Sequence, residues 1–511
     1  MTDTAPIWNR LENHQRRTLA ELFEDAGRLD LLSTRLEWGE GDTAGGIRFD
    51  WSKTHLDAGM LEMFEELAEA SGFAERREAL LSGAKINVTE GRAAEHTAQR
   101  GVGADASVEE AAALHLRMKM LVEAIHQGAL GEVNHLIHIG IGGSALGPAM
   151  AVDALTRDLE LVDVHVVSNI DGLALEQAFA ACDPATTLIA VASKTFTTIE
   201  TMTNAESALK WLADSGVDDP SGRVVALTAN PEAAVEWGVD ETRILPFPES
   251  VGGRYSLWSS IGFPVAIAAG WDEFEAMLAG GQVMDEHFRD TEGRANLPLR
   301  AAFADQYYAR IRGCQTRACF AYDERLSLLP DYLQQLEMES NGKRVTASGD
   351  PVDGATAPIT WGGVGTDAQH AVFQLLHQGT HLIPVDFIAS IAPGDDLDPA
   401  HHRILLTNCF AQGAALMAGG NMAKDGRDPA RAFPGDRPSA TMLCDDLDAA
   451  TLGALIAFHE HRTFANAVLM GINPFDQFGV ELGKKMAKDI EAGGESFDAS
   501  TEALLAAAGI K

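Results

Sequence analysis

The strongest constraint on folding lies between residues 108 and 272, where short apolar runs alternate with helical stretches. The runs are HLIHIGI (135–141), VDVHVVS (162–168), TLIAVAS (187–193) and RVVALTA (223–229). They have strand length, are apolar enough to be buried, and are separated by segments of helical character. That alternation is the signature of a parallel sheet covered by helices. A second strand set begins at TRACFAY (316–322), continues through TAPITWGG (356–363) and HLIPVDFIAS (381–390), and is followed by a long helical region. The expected fold is therefore α/β, with two lobes, each a parallel-rich sheet flanked by helices, and helical N- and C-terminal regions. The expected boundaries are 1–107 for a helical N-terminal region, 108–272 for a small lobe, 273–490 for a large lobe and 491–511 for a tail. Around IRFDWS (47–52) the N-terminal region allows a short extended piece, and MAKDGRDPARAFPGDRP (422–438) reads as a loop of Ω type between helices.

At 511 residues the chain has ample length for a large core, and the prior of about 150 residues per domain allows roughly three domains. No apolar run approaches the roughly 18 residues of a membrane span, and the polar start MTDTAPIWNRLENHQRR has no apolar core resembling a secretion signal. A soluble, cytoplasmic protein is expected. The five cysteines (182, 314, 319, 409 and 444) show no Cys-x-x-Cys spacing, so neither a disulfide framework nor a zinc site is indicated. The net charge of −36, with no basic stripe, argues against nucleic acid and anionic membrane as partners.

Hydrogen-bond donors nevertheless cluster where a strand gives way to a helix. In VASKTFTTIE (191–200), Ser193, Lys194, Thr195, Thr197 and Thr198 follow a strand and precede a helix expected over Ile199–Ser215, ending near Gly216. Unpaired N–H groups and the helix dipole favour an anion there, and a phosphate is the natural guest. The plainer alternative is a threonine cap beside a solvated lysine. Because salt screens the overall field beyond about 8 Å, donors touching the ligand decide affinity despite the negative chain. HIGIGGSALGP (138–148) offers a second strand-to-helix turn, with Ser144 at the helix start. It lacks Gly-x-Gly-x-x-Gly spacing and no Gly-Lys-Ser/Thr follows, which disfavours nicotinamide cofactors and nucleotides. A tight turn without a ligand is the alternative.

Four further stretches carry chemistry. VGGRYSLWSSIG (251–262) sets Arg254 behind Gly252 and Gly253, where close backbone approach and a guanidinium can stabilise a developing oxyanion; the alternative is an arginine stacked on Tyr255 or Trp258. LPDYLQQLEMESNGKR (329–344) predicts a helix over Pro330–Ser340, closed by Asn341 and Gly342, with Gln335 and Glu339 on one face. A carboxylate at the unfavourable end of a helix dipole suits a general base, although an isolated glutamate is more often a surface charge. In GTDAQHAVFQLLHQGT (365–380), Thr366 and Gln369 fit a capping box, Gly379 a stop, and His370 the first turn, where a neutral ring is favoured. NPFDQFGVELGKKMAKDI (473–490) places Gln477 and Lys484 seven residues apart, two turns along one helical face.

Taken in order, GIGGSALGP, SKTFTTIET, GGRYSLWS, QLEMESNGK, GTDAQHAVFQLLHQGT and NPFDQFGVELGKKMA resemble the motifs of the glucose-6-phosphate isomerase family over most of the chain. The resemblance implies tandem sugar-isomerase-type domains and a cradle for the sugar phosphate made of Ser144, Ser193, Lys194, Thr195 and Thr198, with Gly253 also beside the substrate. It implies that Glu339 moves a proton between C2 and C1 through a cis-enediol, that Arg254 faces the enediolate oxygen, and that His370 and Lys484 assist ring opening. Glu200 would orient the histidine, and Gln335 and Gln477 would contact the ligand. No cofactor and no metal are implied; the His401–His402 and His459/His461 pairs lack His-Glu-x-x-His spacing. A homodimer is implied, with the histidine matching His370 supplied by the partner subunit. Ala145 stands where the family usually carries aspartate, Ile199 where glutamine is common, and the 363–368 loop is altered. A non-catalytic phosphosugar-binding regulator, or an isomerase of another hexose phosphate such as mannose 6-phosphate, remains the alternative.

Overall fold

The computed structural model describes residues 4–41, 44–157, 161–422, 428–494 and 497–510. Two compact units are present, Met1–Pro474 and Phe475–Lys511. The strands, in chain order, are β1 (Ser33–Trp38), β2 (Gly45–Asp50), β3 (His135–Gly140), β4 (Asp163–Val167), β5 (Thr187–Ala192), β6 (Val224–Thr228), β7 (Ile244–Pro246), β8 (Thr316–Tyr322), β9 (Ile359–Val364), β10 (Val385–Ser390), the two-residue β11 (Gly420–Asn421) and β12 (Ala432–Phe433), and β13 (Ser439–Cys444).

The first sheet has the order β4-β3-β5-β6-β7 and is parallel throughout. Every residue of β5 and β6 is buried, as central parallel strands covered on both faces require. The order reverses at β3, whose neighbours are β4 on one side and β5 on the other. The loops leaving β3 and β5 therefore diverge to opposite faces and open a crevice at the strands' C-terminal ends, where open α/β sheets bind ligands.

The second sheet has the order β1-β2-β13-β10-β8-β9. β13, β10, β8 and β9 are parallel, while the β1–β2 hairpin adds antiparallel, with Phe49 opposite Met442. Two expectations are corrected here. The N-terminal region supplies two full strands in addition to its helices, and the C-terminal helical region is interrupted by β13. β1 is an edge strand with one exposed and otherwise half-buried residues, so STRLEW lacks the apolar alternation that marks a strand. SATMLC follows the proline-containing loop directly, and Ser439 and Thr441 keep it from reading as a continuous apolar run. Of that loop, residues 423–427 lie outside the described residues; its flanks form the β11–β12 pair and a 3-10 turn at Pro429–Arg431.

Behind the second sheet, the helices Trp271–Asp290 and Ala449–Met470 pack backbone to backbone. A Cβ on Gly280 would fall 1.8 Å from the Ala450 carbonyl oxygen, and one on Gly453 2.0 Å from that of Met277. At this seam Arg100 donates to Asp285 (2.6 and 2.7 Å) and to Glu460 (2.6 Å), and the other Glu460 oxygen accepts from the Trp258 indole at 2.8 Å. The network ties the end of the Gly253–Trp258 turn to the large lobe.

Candidate active site

The loop after β5 is held open. Thr198 is the N-cap of the helix Ile199–Asp214, yet its side chain makes no cap hydrogen bond; its hydroxyl lies 3.1 Å from that of Ser193. The Thr195 and Thr197 hydroxyls pair at 2.8 Å. The hydroxyl-cap alternative is thus not realised, and the first N–H groups of the helix have no side-chain competitor for an anion. Phe196 adopts φ 55°, the left-handed region that a bulky residue rarely visits, with its buried ring edge-on to Trp237. The anchored ring turns the flanking hydroxyls of Thr195 and Thr197 outward, where both residues are exposed. The Lys194 carbonyl accepts from Ala229 N–H and Thr228 Oγ1, so the loop is pinned to the end of β6.

Lys194 is not a solvated charge. Its ammonium donates to the carbonyls of Glu249 (2.6 Å) and Val251 (3.1 Å). Burial, with Arg92 nearby, pushes its pKa down to about 8. A lysine in this state gains from an incoming phosphate, which replaces missing hydration with a full negative charge.

The loop after β3 lies beside it, since Gly140 is opposite Ala192 in the strand register. Its glycines are there for contact. At Gly142, φ +57°, a Cβ would meet the Gln335 amide nitrogen at 3.0 Å, and a Cβ on Gly143 would fall 2.2 Å from the Gly253 carbonyl. The turn carrying Ser144 therefore abuts the peptide that precedes Arg254. His138 in β3 accepts this arrangement from beneath, its Nε2 2.7 Å from the Ser144 carbonyl, and burial lowers its pKa to about 4. With a neutral ring, Nε2 is the donor in that bond.

From the large lobe comes the carboxylate. The predicted helix over Pro330–Ser340 is observed as a short α-helix, Leu329–Leu333, running into a π-helix, Gln334–Glu339. Wider turns of this kind mark functional sites in many helices. Glu337 is drawn to the buried Arg317 and accepts from Thr360 Oγ1 at 2.8 Å, while Glu339 turns the other way. Gln335 Nε2 donates to Glu339 Oε2 at 3.1 Å, as their shared face predicts. Arg254 Nη1 lies 3.1 Å from the same oxygen, with the arginine side chain 2% and the glutamate 21% exposed. The guanidinium also donates from Nε to Ser340 Oγ (2.7 Å) and from Nη2 to the Pro474 carbonyl, and Tyr255 Oη lies 2.9 Å from the same Ser340 hydroxyl. The stacked alternative is partly realised, with Arg254 Cζ 5.4 Å from the Tyr255 ring centre. Tyr255 was expected only as a stacking partner, and Ser340 had no expected role beyond ending the helix; the serine directly after Glu339 was the available signal.

His370, Glu200, Lys484 and Gln477 stand on other elements. His370 is exposed in the first turn of the helix Asp367–Gln378, and among the described residues no hydrogen bond or ion pair links it to Glu339 or Glu200. The expected capping box is absent: Thr366 makes no side-chain cap bond, because Gln369 is engaged by Tyr322 (2.8 Å) and Asn408 (3.3 Å) instead. Glu200 is half-buried in the first turn of Ile199–Asp214. In the second unit, Lys484 is exposed on the helix Glu481–Glu491. Gln477 precedes a separate 3-10 turn, Phe478–Val480, at φ −150°. The two are therefore not two turns apart on one helix; Gly479 interrupts the helical run that their spacing predicted. Of the histidine pairs, His461 donates from Nε2 to the Asp285 carboxylate at 2.6 Å and His402 donates to the Ile391 carbonyl at 2.9 Å.

Hydroxyls at a helix N-terminus, a partly buried lysine, and a guanidinium facing a carboxylate across two parallel-rich lobes define a protein of the phosphosugar isomerase class. Comparison with known proteins narrows this. The phosphoglucose isomerase family profile matches residues 50–505, and the chain belongs to that family. Glucose-6-phosphate isomerase of Erythrobacter litoralis is 81% identical over 508 residues, covering 98% of each chain. That of Zymomonas mobilis is 60% identical over 504 residues, covering 98% of this chain and 97% of the relative. Among solved structures, a glucose-6-phosphate isomerase from Chlamydia trachomatis superposes with a TM-score of 0.89 at 28% identity, covering all of both chains.

Proposed function

We propose that the protein interconverts glucose 6-phosphate and fructose 6-phosphate as an aldose-ketose isomerase of glycolysis and gluconeogenesis. The observation that carries this reading is the Arg254–Glu339 pair at 3.1 Å beside the hydroxyl loops. The proton α to a sugar carbonyl is weakly acidic. A positioned carboxylate removes it, and a cation beside the enediolate oxygen stabilises the charge that results. Glu339 is the base that carries the proton between C2 and C1, and Arg254 is the electrophile. Ser144, Ser193, Lys194, Thr195 and Thr198 hold the phosphate, with Gly253, Gln335 and Gln477 on the sugar.

His370 and Lys484 open the ring at the C1 hydroxyl and ring oxygen, with Glu200 orienting the histidine. The exposure of His370 supports a homodimer in which each site receives this residue from the partner subunit. Residues 108–272 form the phosphosugar-binding lobe and 273–490 the lobe that brings the base. The protein acts in the cytoplasm, without cofactor or catalytic metal; no described helix is long and apolar enough to cross a membrane. The test is a coupled assay converting fructose 6-phosphate to glucose 6-phosphate in the presence of a chelator. Turnover is expected; binding of fructose 6-phosphate without turnover would replace this reading with that of a sugar-phosphate sensor.

A further inference from the structure

At the N-terminal ends of the first sheet, opposite the phosphate cradle, two histidines and a cysteine converge. The strand register sets His135 opposite Asp163 and Ile137 opposite His165, so the two imidazoles are diagonal neighbours on one face, with ring centres 6.3 Å apart. The helix Gly172–Ala181 covers that face through Leu175 and Ala178, and its C-cap, Cys182, descends onto the edge of the same apolar cluster. One ligand atom each from His135, His165 and Cys182 lies within 4.8 Å of the others.

We propose that His135, His165 and Cys182 bind a zinc-like divalent cation, with Asp163, which lies beside the two rings but outside the three-residue cluster, turning in as the fourth ligand. Two nitrogens, one thiolate and one carboxylate are a donor set such ions take tetrahedrally, with bonds of about 2.0 to 2.3 Å. Two independent observations point to a ligand. Among the described residues, His135 Nδ1 is buried without a hydrogen-bond partner. Asp163 Oδ2 already stands between the rings, 3.0 Å from His165 Nε2 and 3.6 Å from His135 Nδ1, where a carboxylate can ligate. The histidines are partly exposed, which leaves an entry path, while Cys182 is buried. Binding displaces the thiol proton to solvent as the sulfur–metal bond forms. No sequence motif marks this site, because its ligands come from two strands and a helix end, with none of the short spacings of zinc motifs.

The site would clamp β4, an edge strand, to β3 and to the helix that covers them. It lies a strand's length, about 17 Å, from the cradle, so isomerase activity serves as a check on folding. The test uses the chelator-stripped full chain titrated with Co²⁺. A near-ultraviolet thiolate-to-cobalt band saturating at one ion per chain, discharged by Zn²⁺, is expected. Cys182→Ser should abolish the band and His165→Gln should weaken binding, both with activity retained; a melting temperature raised by Zn²⁺ in the native chain alone should accompany this. Should Cys182→Ser fold poorly, His135→Gln/His165→Gln leaves the thiol in place and must still lose stoichiometric binding. Absence of the band in the native protein, or its survival in either variant, overturns the proposal and leaves a histidine pair sharing one carboxylate.

Discussion

Arg254 Nη1 and Glu339 Oε2 stand 3.1 Å apart, yet the two side chains are held by different means. The arginine is held further by Ser340, Tyr255 and the Pro474 carbonyl, whereas the same glutamate oxygen also accepts from the Gln335 amide. A cation so fixed beside a partly exposed carboxylate suits an electrophile and a base. Glu339→Gln keeps shape and hydrogen bonding but cannot accept a proton. Turnover should fall by about 10² to 10⁴ with phosphosugar binding intact. The readout is exchange of substrate C2 deuterium with solvent; near-native exchange in the variant would assign the base elsewhere.

Lys194 predicts a pH dependence in binding. Its ammonium, shifted down to about 8 by burial, is charged below that pH and neutral above it. KM for the sugar phosphate should therefore rise as pH passes upward through about 8. Lys194→Ala should raise KM at neutral pH by about 10- to 150-fold, the worth of a charge-assisted contact, and flatten its alkaline rise. Thr195→Ala should weaken phosphosugar binding more than neutral-sugar binding. An unchanged alkaline limb in Lys194→Ala would assign it to another group.

Gly143 tests whether the two glycine turns must touch. An added Cβ would lie 2.2 Å from the Gly253 carbonyl and 2.5 Å from the Arg254 nitrogen, so Gly143→Ala must part the turns. Because small misplacements of catalytic groups are expensive, kcat/KM should drop by about 10²-fold. Steady-state kinetics with a thermal melt checks this; near-native kinetics would show that the contact does not position Arg254.

Sharing of sites between subunits is tested with mixed dimers. Glu339→Gln and His370→Ala should each be nearly inactive alone. If His370 serves the partner's site, a mixed dimer carries both lesions in one site and none in the other. With random pairing, co-expression should restore roughly a quarter of native activity. A pool containing mixed dimers by mass spectrometry, yet no more active than the separate variants, would place His370 within its own chain's site.

Arg100 serves two buried carboxylates at once, Asp285 and Glu460. Replacing it with leucine strands both, and the expected cost is about 3–5 kcal/mol in chemical denaturation. A loss under 1 kcal/mol would mean that water or protonation compensates.

β3, β5 and β6 of the first sheet and β8 and β10 of the second were legible because parallel strands buried on both faces read as continuous apolar runs; β4 and β9 were read from the same alternation although they are half-buried, and the three-residue β7 escaped notice. β1 and β13 were not legible: the first is a half-exposed edge, and the second carries Ser439 and Thr441 and follows an irregular loop. At the site, the hydroxyl loop, Arg254, Gln335 and Glu339 could be named from local pattern. Their partners could not, since Ser340 bonded to Arg254, the carbonyls that bind Lys194 and the carboxylates that bind Arg100 arise from tertiary contact alone. The capping box at Thr366 failed for the same reason, tertiary partners having taken Gln369 away from the helix start.

The second sheet joins the two ends of its unit, for β2 pairs with β13. Every strand of the first sheet, by contrast, lies between His135 and Pro246. On a ribosome adding about 5 to 20 residues per second, the first sheet is complete while the β1–β2 hairpin still waits, roughly 20 to 80 s, for the strand that covers its inner edge. Throughout that interval the nascent chain displays the unpaired N–H and C=O groups of β2, so its time of greatest exposure to aggregation falls during its own synthesis.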